Sequence, residues 1–223
     1  MEARLTEIDR GEMLRYLLWQ GGAIPEEVDA ALRRGEERLR ETAQPRAVWR
    51  VFDYRPGEPL GGTAYIPEGE DVRAFLADCD QVILLAVTLG AGPDLLQRRL
   101  RLHDMSGALI LDAAGSAAVE NVCDNLCADL AAAFAPRHLT DRFSPGYGDM
   151  PLGQQEELFR VLDVTRRIGV SLSESGLMLP QKSVTALIGV SDRPQPRRQR
   201  GCASCNLFET CMYRKDGKSC GAF

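Results

Sequence analysis

Over residues 113–134 the side chains Val119, Val122, Cys123, Leu126, Cys127, Leu130 and Phe134 recur at three- and four-residue steps. An α-helix turns every 3.6 residues or so, at about 100° per residue, and this spacing therefore predicts one long helix with a single apolar stripe. Such a stripe has to be buried on something. Residues 81–88 are an almost unbroken apolar run ending at Leu89-Gly90-Ala91-Gly92, the pattern of a central strand followed by a turn. The lone Gly-x-Gly reads as that turn and not as a nucleotide fingerprint. Helices packed on a sheet are the expected frame.

Shorter segments fill in the frame. Asp9 caps a helix running to Trp19, with Met13, Leu14, Leu17 and Leu18 on one face and Gly21-Gly22 after it. Pro25, Glu26 and Glu27 open a second helix that continues to Gln44, with proline in the first turn and acids at the positive end of the dipole. Its Glu/Arg-rich body reads as a solvated face. Residues 47–54 and 62–66 are β-rich runs parted by Pro56-Gly57 and Pro59, predicted to pair as a hairpin or as neighbouring strands, and residues 93–103 are predicted helical. The fold class is α+β: a twisted, mainly antiparallel sheet flanked by helices. Residues 1–192 are assigned to the main domain, and 193–223 to a basic linker with a small Cys-rich tail.

Composition narrows the functional classes. With 223 residues, 44% of them hydrophobic, the chain can fill one sizeable core, or one core and a small appendage. The opening MEARLTEIDR is not a basic-then-apolar leader, and the longest apolar stretch, residues 82–89, falls far short of the roughly 20 residues a bilayer span needs. A soluble cytoplasmic protein with no membrane partner is expected. The net charge of −5 is uneven: seven Lys/Arg against two Asp/Glu from Arg193 onward give +5, leaving 20 against 30, or −10, on residues 1–192. An acidic body argues against nucleic acid as a partner, because a basic footprint should lie on the folded domain. The basic tail suits an acidic protein partner instead. His103 and His138, the only histidines, have polar neighbours and no partner spacing that would nominate them as ligands.

The seven cysteines fall into two classes. Cys79, Cys123 and Cys127 lie in or beside apolar periodic segments and read as buried, inert thiols. Cys202, Cys205, Cys211 and Cys220 crowd the last 22 residues. In a cytosolic protein such a cluster points to metal before a disulfide staple, and four thiolates without a nearby histidine fit an iron–sulfur cluster or a tetrathiolate zinc.

Residues 141–192 carry the most specific pattern. Arg142, Pro145, Gly146 and Tyr147 form an Arg-x-x-Pro-Gly-Tyr turn, followed by a predicted helix over 158–167, a Ser173-Glu174-Ser175 strand and a Ser183-Val184 strand. A guanidinium is a planar, bidentate partner for a carboxylate that lysine cannot imitate. Pro145 restricts its neighbour to extended geometry, and Gly146 permits a close backbone approach. These features, in this order, closely resemble the activation domain of cobalamin-dependent methionine synthase, a family domain that binds S-adenosylmethionine and presents it to a corrinoid. The segment AAVENVCDNL, 117–126, is similar to the family's long Ala/Glu-rich helix. By periodicity alone Glu120 is an acid at the edge of the apolar stripe, roughly 80° from its centre. The resemblance implies that Glu120 contacts the ligand's amino group, Arg142 its α-carboxylate, and the backbone of Ser144 and Gly146 its adenine or ribose. Tyr147, the catalytic position, would stand beside the sulfonium where the corrin face arrives. The chain departs from the family at Phe143, where proline is usual, and over Gly148-Asp149-Met150-Pro151, where Pro-Ala-Cys-Pro is usual; its interval between helix and turn is also shorter.

The function so implied is reductive activation of a corrinoid-dependent methyltransferase by methylating the reduced cobalamin of a partner, most simply a methionine synthase without its own activation domain. Cobalamin is expected to come with that partner, since nothing here resembles the Asp-x-His-x-x-Gly loop that holds it in the family. One electron must reach the cobalt, from a flavodoxin or ferredoxin donor. An iron–sulfur cluster on the tail would deliver it at high effective concentration, which redox-inert zinc could not. The alternative is a non-catalytic redox adapter that reduces a corrinoid partner through its metal tail while the nucleotide cleft stays empty.

Overall fold

The computed structural model describes residues 2–19 and 21–195, together with 209, 210 and 215. In chain order its elements are α1 (Arg10–Tyr16), α2 (Glu26–Thr42), β1 (Arg46–Asp53), α3 (Glu70–Phe75), β2 (Gln81–Thr88), α4 (Gly92–Leu100), α5 (Met105–Phe134), β3 (His138–Leu139), α6 (Gln154–Leu162), α7 (Val164–Ile168), β4 (Ser171–Leu172), β5 (Met178–Leu179) and β6 (Ser183–Ser191). The fold is α+β, with a four-stranded sheet in the order β1-β2-β6-β3 and a separate β4-β5 pair.

All pairings in the main sheet are antiparallel. The amides of Gln44 and Tyr54 donate to the carbonyls of Leu89 and Asp80 at opposite ends of the β1-β2 pair. Those of Leu89 and Asp80 donate to Lys182 and Val190 at opposite ends of β2-β6, and His138 faces Ser191 across β3-β6. β2 is internal, as its apolar run predicts, and all its residues from Val82 onward are buried. β6, foreshadowed only as Ser183-Val184, extends to nine residues.

The chain divides into two units. The first takes Met1–Trp49, Leu85–Ala133 and Leu162–Thr185. Of the stripe expected from the sequence, α5 buries Val119, Val122, Cys123, Leu126 and Leu130, while Cys127 and Phe134 are only partly covered; Ala114, Ala117 and Ala118 are buried beside it. The helix starts earlier than predicted because Asp104 opens it: its carbonyl accepts from the Ala108 amide (3.0 Å) and its carboxylate from the Gly107 amide (2.9 Å). The extra turns were hidden because Met105 and Leu109 point outward and contribute nothing to the stripe. The N-terminal segment is strapped along α5, with the amides of Thr6 (3.1 Å) and Glu7 (3.2 Å) donating to the Asn121 side-chain oxygen and the Asn125 amide to the Arg4 carbonyl (3.1 Å). α1 follows, capped by Asp9 as predicted. Near the start of β6, Lys182 reaches Asp112 and Ser116 of α5, both at 2.9 Å, with its stem over Gly115.

The second unit takes Arg50–Leu84, Phe134–Val161 and the described residues from Ala186. Leu60, Tyr65, Val72, Leu76, Phe143 and Leu158 are among its buried side chains. Residues 62–66, predicted as a strand, are a loop: the Leu60 amide donates to Tyr65 and the Thr63 amide to Leu60, so backbone groups that a ladder would use are spent locally.

Two further expectations change within residues 141–192. The single helix over 158–167 is broken at Asp163, whose φ of 53° separates α6 from α7. Ser173-Glu174-Ser175 is the turn between β4 and β5, where the Ser173 hydroxyl accepts from the Leu177 amide (3.0 Å) and the Ser173 amide donates to the Leu177 carbonyl (2.9 Å). Serine side chains that bond nearby backbone favour turns over strands. Among the described residues no helix is long and apolar enough to cross a membrane.

Candidate functional site

Phe143 fixes the Arg-x-x-Pro-Gly-Tyr segment to the sheet. Its amide donates to the Leu187 carbonyl (2.9 Å) and its carbonyl accepts from the Leu187 amide (2.8 Å), while its buried ring lies 5.2 Å from that of Phe75. A proline could not make the first of these bonds, so the departure from the family pattern here comes with an added anchor. Arg142, half-buried, immediately precedes it. Beyond it the Tyr147 amide donates to the Ser144 carbonyl (3.1 Å), closing a four-residue turn with Pro145 second and Gly146 third at φ 88°. Proline then a left-handed glycine is the signature of a type II turn, and a Cβ at the third position would be strained. Pro145 is buried, Gly146 is exposed, and the Tyr147 side chain stands 62% exposed.

The flank after Tyr147 locks the turn to α3. The Asp149 carboxylate accepts from the backbone amides of Glu70 (2.6 Å) and Asp71 (3.1 Å), satisfying donors that the start of a helix leaves without partners. The Met150 amide returns to the Tyr147 carbonyl (3.1 Å) and the Gly146 amide to the Met150 carbonyl (3.0 Å). Gly148-Asp149-Met150-Pro151 thus has an anchoring role of its own. Sequence reasoning missed it because Asp149 lies 79 and 78 residues from the two amides it caps.

Arg142, Ser144, Gly146 and Tyr147 all belong to this one loop of the second unit. Glu120 lies in the first unit, half-buried on α5, and its charge acts on Tyr16 of α1. The Tyr16 phenol is shifted above its usual range, first by burial, with Glu120 and Glu12 adding to the shift and Arg15 opposing it. The Arg15 guanidinium lies 4.4 Å from the Tyr16 ring centroid and is itself held by Glu12, with Nη2 to Oε2 at 2.5 Å and Nε to Oε2 at 3.1 Å. Glu120 was nominated from the sequence. Tyr16 was not, because the pattern of α1 drew attention to its apolar stripe.

Of the first class of cysteines, Cys79 and Cys123 are buried and Cys127 is partly covered. Burial pushes the Cys79 thiol up to about 11, as expected of an inert thiol. Cys202, Cys205, Cys211 and Cys220 lie outside the described residues. Among the described residues no group of three or more His, Cys, Asp or Glu is arranged to hold a metal ion.

Residues 123–195 match the family described as the vitamin B12 dependent methionine synthase activation domain, a stretch that includes the turn, α6, α7 and β6 and begins just after Glu120. No curated protein matches the chain. Among solved structures, the crystal structure of the MetH reactivation domain bound to AdoHcy superposes with a TM-score of 0.57 at 15% identity, covering 90% of this chain and 76% of that one. In sequence over residues 123–195, and in fold over 90% of its length, the chain resembles the activation domain of vitamin B12 dependent methionine synthase.

Proposed function

We propose that the chain binds S-adenosylmethionine and uses it to return a corrinoid-dependent methyltransferase to its active state. The observation that carries this reading is the Pro145-Gly146 turn, pinned by Phe143 and Asp149 with Tyr147 held outward, inside the residues that match the activation family. The side chains present fit the ligand. Arg142 suits an α-carboxylate, Glu120 an ammonium, and the exposed backbone at Gly146, with that of Ser144, admits the adenosine moiety. The MetH structure that shares the fold is bound to AdoHcy, the demethylated form of this ligand.

When bound, S-adenosylmethionine supplies a methyl group that leaves its sulfonium for the cobalt of the partner, once a flavodoxin or ferredoxin donor has delivered one electron; S-adenosylhomocysteine remains. As the resemblance implies, Arg142 would hold the carboxylate and Glu120 the ammonium of the amino-acid end, which would orient the sulfonium. Tyr147, exposed on this loop, would stand beside the sulfonium where the corrin arrives, and its ring would attract the cation by roughly 0.5–2 kcal/mol. The corrinoid comes with the partner, a corrinoid-dependent methyltransferase such as a methionine synthase lacking its own activation domain.

Titration calorimetry with S-adenosylmethionine tests the reading. Wild-type protein should bind, and Arg142→Lys should weaken binding by about 1.5–3 kcal/mol, because a charged hydrogen bond is lost while the charge remains. Glu120→Gln should also weaken it. Unchanged dissociation constants in both variants would sink the placement, and a wild-type chain that does not bind at all would leave the redox-adapter reading in its place.

A further inference from the structure

The corner between α4 and α5 turns a basic and apolar face outward from a body that is otherwise acidic. We infer that this face docks an acidic protein with an apolar centre; that this protein is the one-electron donor rests on the function proposed above. The inner side of the corner is spent on the rest of the first unit. The Asp94 carboxylate accepts from the Gln181 amide (2.8 Å), and the Gln97 side-chain amide donates to Asp112 of α5 (2.8 Å). Gly92 lies so close to α2 that a Cβ there would sit 2.1 Å from the Thr42 carbonyl oxygen. Asp104 then carries the chain into α5, accepting from the Gly107 amide (2.9 Å) and reaching Arg38 at 3.7 Å. The corner is a fixed scaffold.

Its outer side carries Arg98 and Arg99 on α4, Arg101 and Leu102 in the turn, and Met105 and Leu109 on α5, all exposed. Leu102 is 86% exposed, and Met105 and Leu109 58% each. Leu102 and Met105 are three residues apart, hence within about 11 Å, and Met105 and Leu109 are one helical turn apart. Single exposed apolar side chains are ordinary; three gathered at one corner and rimmed by cations mark an interaction surface. Among the described residues none of the three guanidinium groups enters an ion pair. From Arg98 to Leu109 there are three Arg against one Asp, Asp104, which is already engaged, while residues 1–192 together carry −10.

The charge selects the occupant. A second copy docked face to face would set arginine against arginine. An interfacial membrane anchor needs an apolar face along one continuous helix, whereas α4 has nine residues and the apolar positions here run around a corner. An acidic protein neutralises the rim and buries the centre, and the acidic remainder of the body, by repelling it, steers it to this corner.

The test measures association and dissociation of the full chain with two probes, an acidic flavodoxin and an acidic ferredoxin, at low and high salt. Wild-type protein should bind at least one of them, more weakly as salt rises. The triple variant Arg98→Gln/Arg99→Gln/Arg101→Gln should slow association and flatten the salt dependence, and Leu102→Ser/Met105→Ser should speed dissociation, each weakening binding about tenfold. All five side chains are exposed, so both variants should keep the wild-type unfolding midpoint. Undiminished binding in either variant, or binding of neither probe by wild-type protein, overturns the inference. Flotation of wild-type protein, but not of the variants, with phosphatidylserine vesicles would overturn it in favour of a membrane. Calorimetry with S-adenosylmethionine keeps the two readings apart: a chain that binds a donor through this corner but no S-adenosylmethionine loses only the ligand reading, and the reverse result loses only the docking surface.

Discussion

Gly146 adopts a φ of 88°, a conformation that an added Cβ disfavours by about 1–2 kcal/mol. Gly146→Ala should lower stability by that order in urea denaturation and weaken S-adenosylmethionine binding in the same preparation. Loss of stability without loss of binding would separate the turn from the ligand site. Cys79 gives a pH-dependent expectation. Its thiol is pushed from about 9 in the unfolded chain to about 11 in the folded one, by burial first and then by Asp78 and Asp80. Below pH 9 both states hold the proton and the contribution is complete; between about 9 and 11 the unfolded chain ionises first, so stability falls as pH rises through that window. Native protein at pH 8 should leave Cys79 unalkylated by iodoacetamide, and urea-unfolded protein should not. Rapid labelling of the native chain at Cys79 would contradict its burial.

At the scale of elements, α3 depends on a cap from a distant loop. Asp149→Ala removes the acceptor for the amides of Glu70 and Asp71 and should cost about 1 kcal/mol in denaturant unfolding, within the usual range for a lost cap. If Asp149 also steadies the Tyr147 turn, the same variant should weaken S-adenosylmethionine binding; an unchanged midpoint and an unchanged affinity together would remove both roles. Elements were legible where a single periodicity ran unbroken. α5, β2 and α4 follow from apolar spacing, and the start of α1 from its Asp9 cap; α1 stops at Tyr16, short of the expected Trp19, and Leu18, expected on its apolar face, lies past its end at φ 56° and is exposed. The spacing runs straight across Asp163, with Leu162, Val164 and Ile168 all buried, so one helix was read where the backbone makes two. Hydroxyl side chains at Ser173 and Ser175 bond each other (2.9 Å), which marks a turn and not a strand.

At the scale of the whole molecule, residues 194–223 are separable by composition: Pro, Arg and four Cys in place of apolar periodicity. Deleting them should leave S-adenosylmethionine binding intact while lowering electron delivery to a corrinoid partner. Anaerobic purification of the full chain should give brown protein with iron and sulfide, four cysteines to each cluster, held by Cys202, Cys205, Cys211 and Cys220. Colourless protein with stoichiometric zinc would make the tail structural and an outside reductant necessary.

The sequence by itself determined the α+β class, the internal β2, the long α5 and the Arg142–Tyr147 motif, because each of these rests on residues within a few turns or one strand of one another. Only the tertiary structure decided that Phe143 bonds Leu187, that Asp149 caps α3, and that the α1 tyrosine answers to the charge of Glu120. Those pairings join residues 44, 79 and 104 positions apart. Hydrogen bonds and charges act through space, and their partners leave no periodic trace in a chain read one residue at a time.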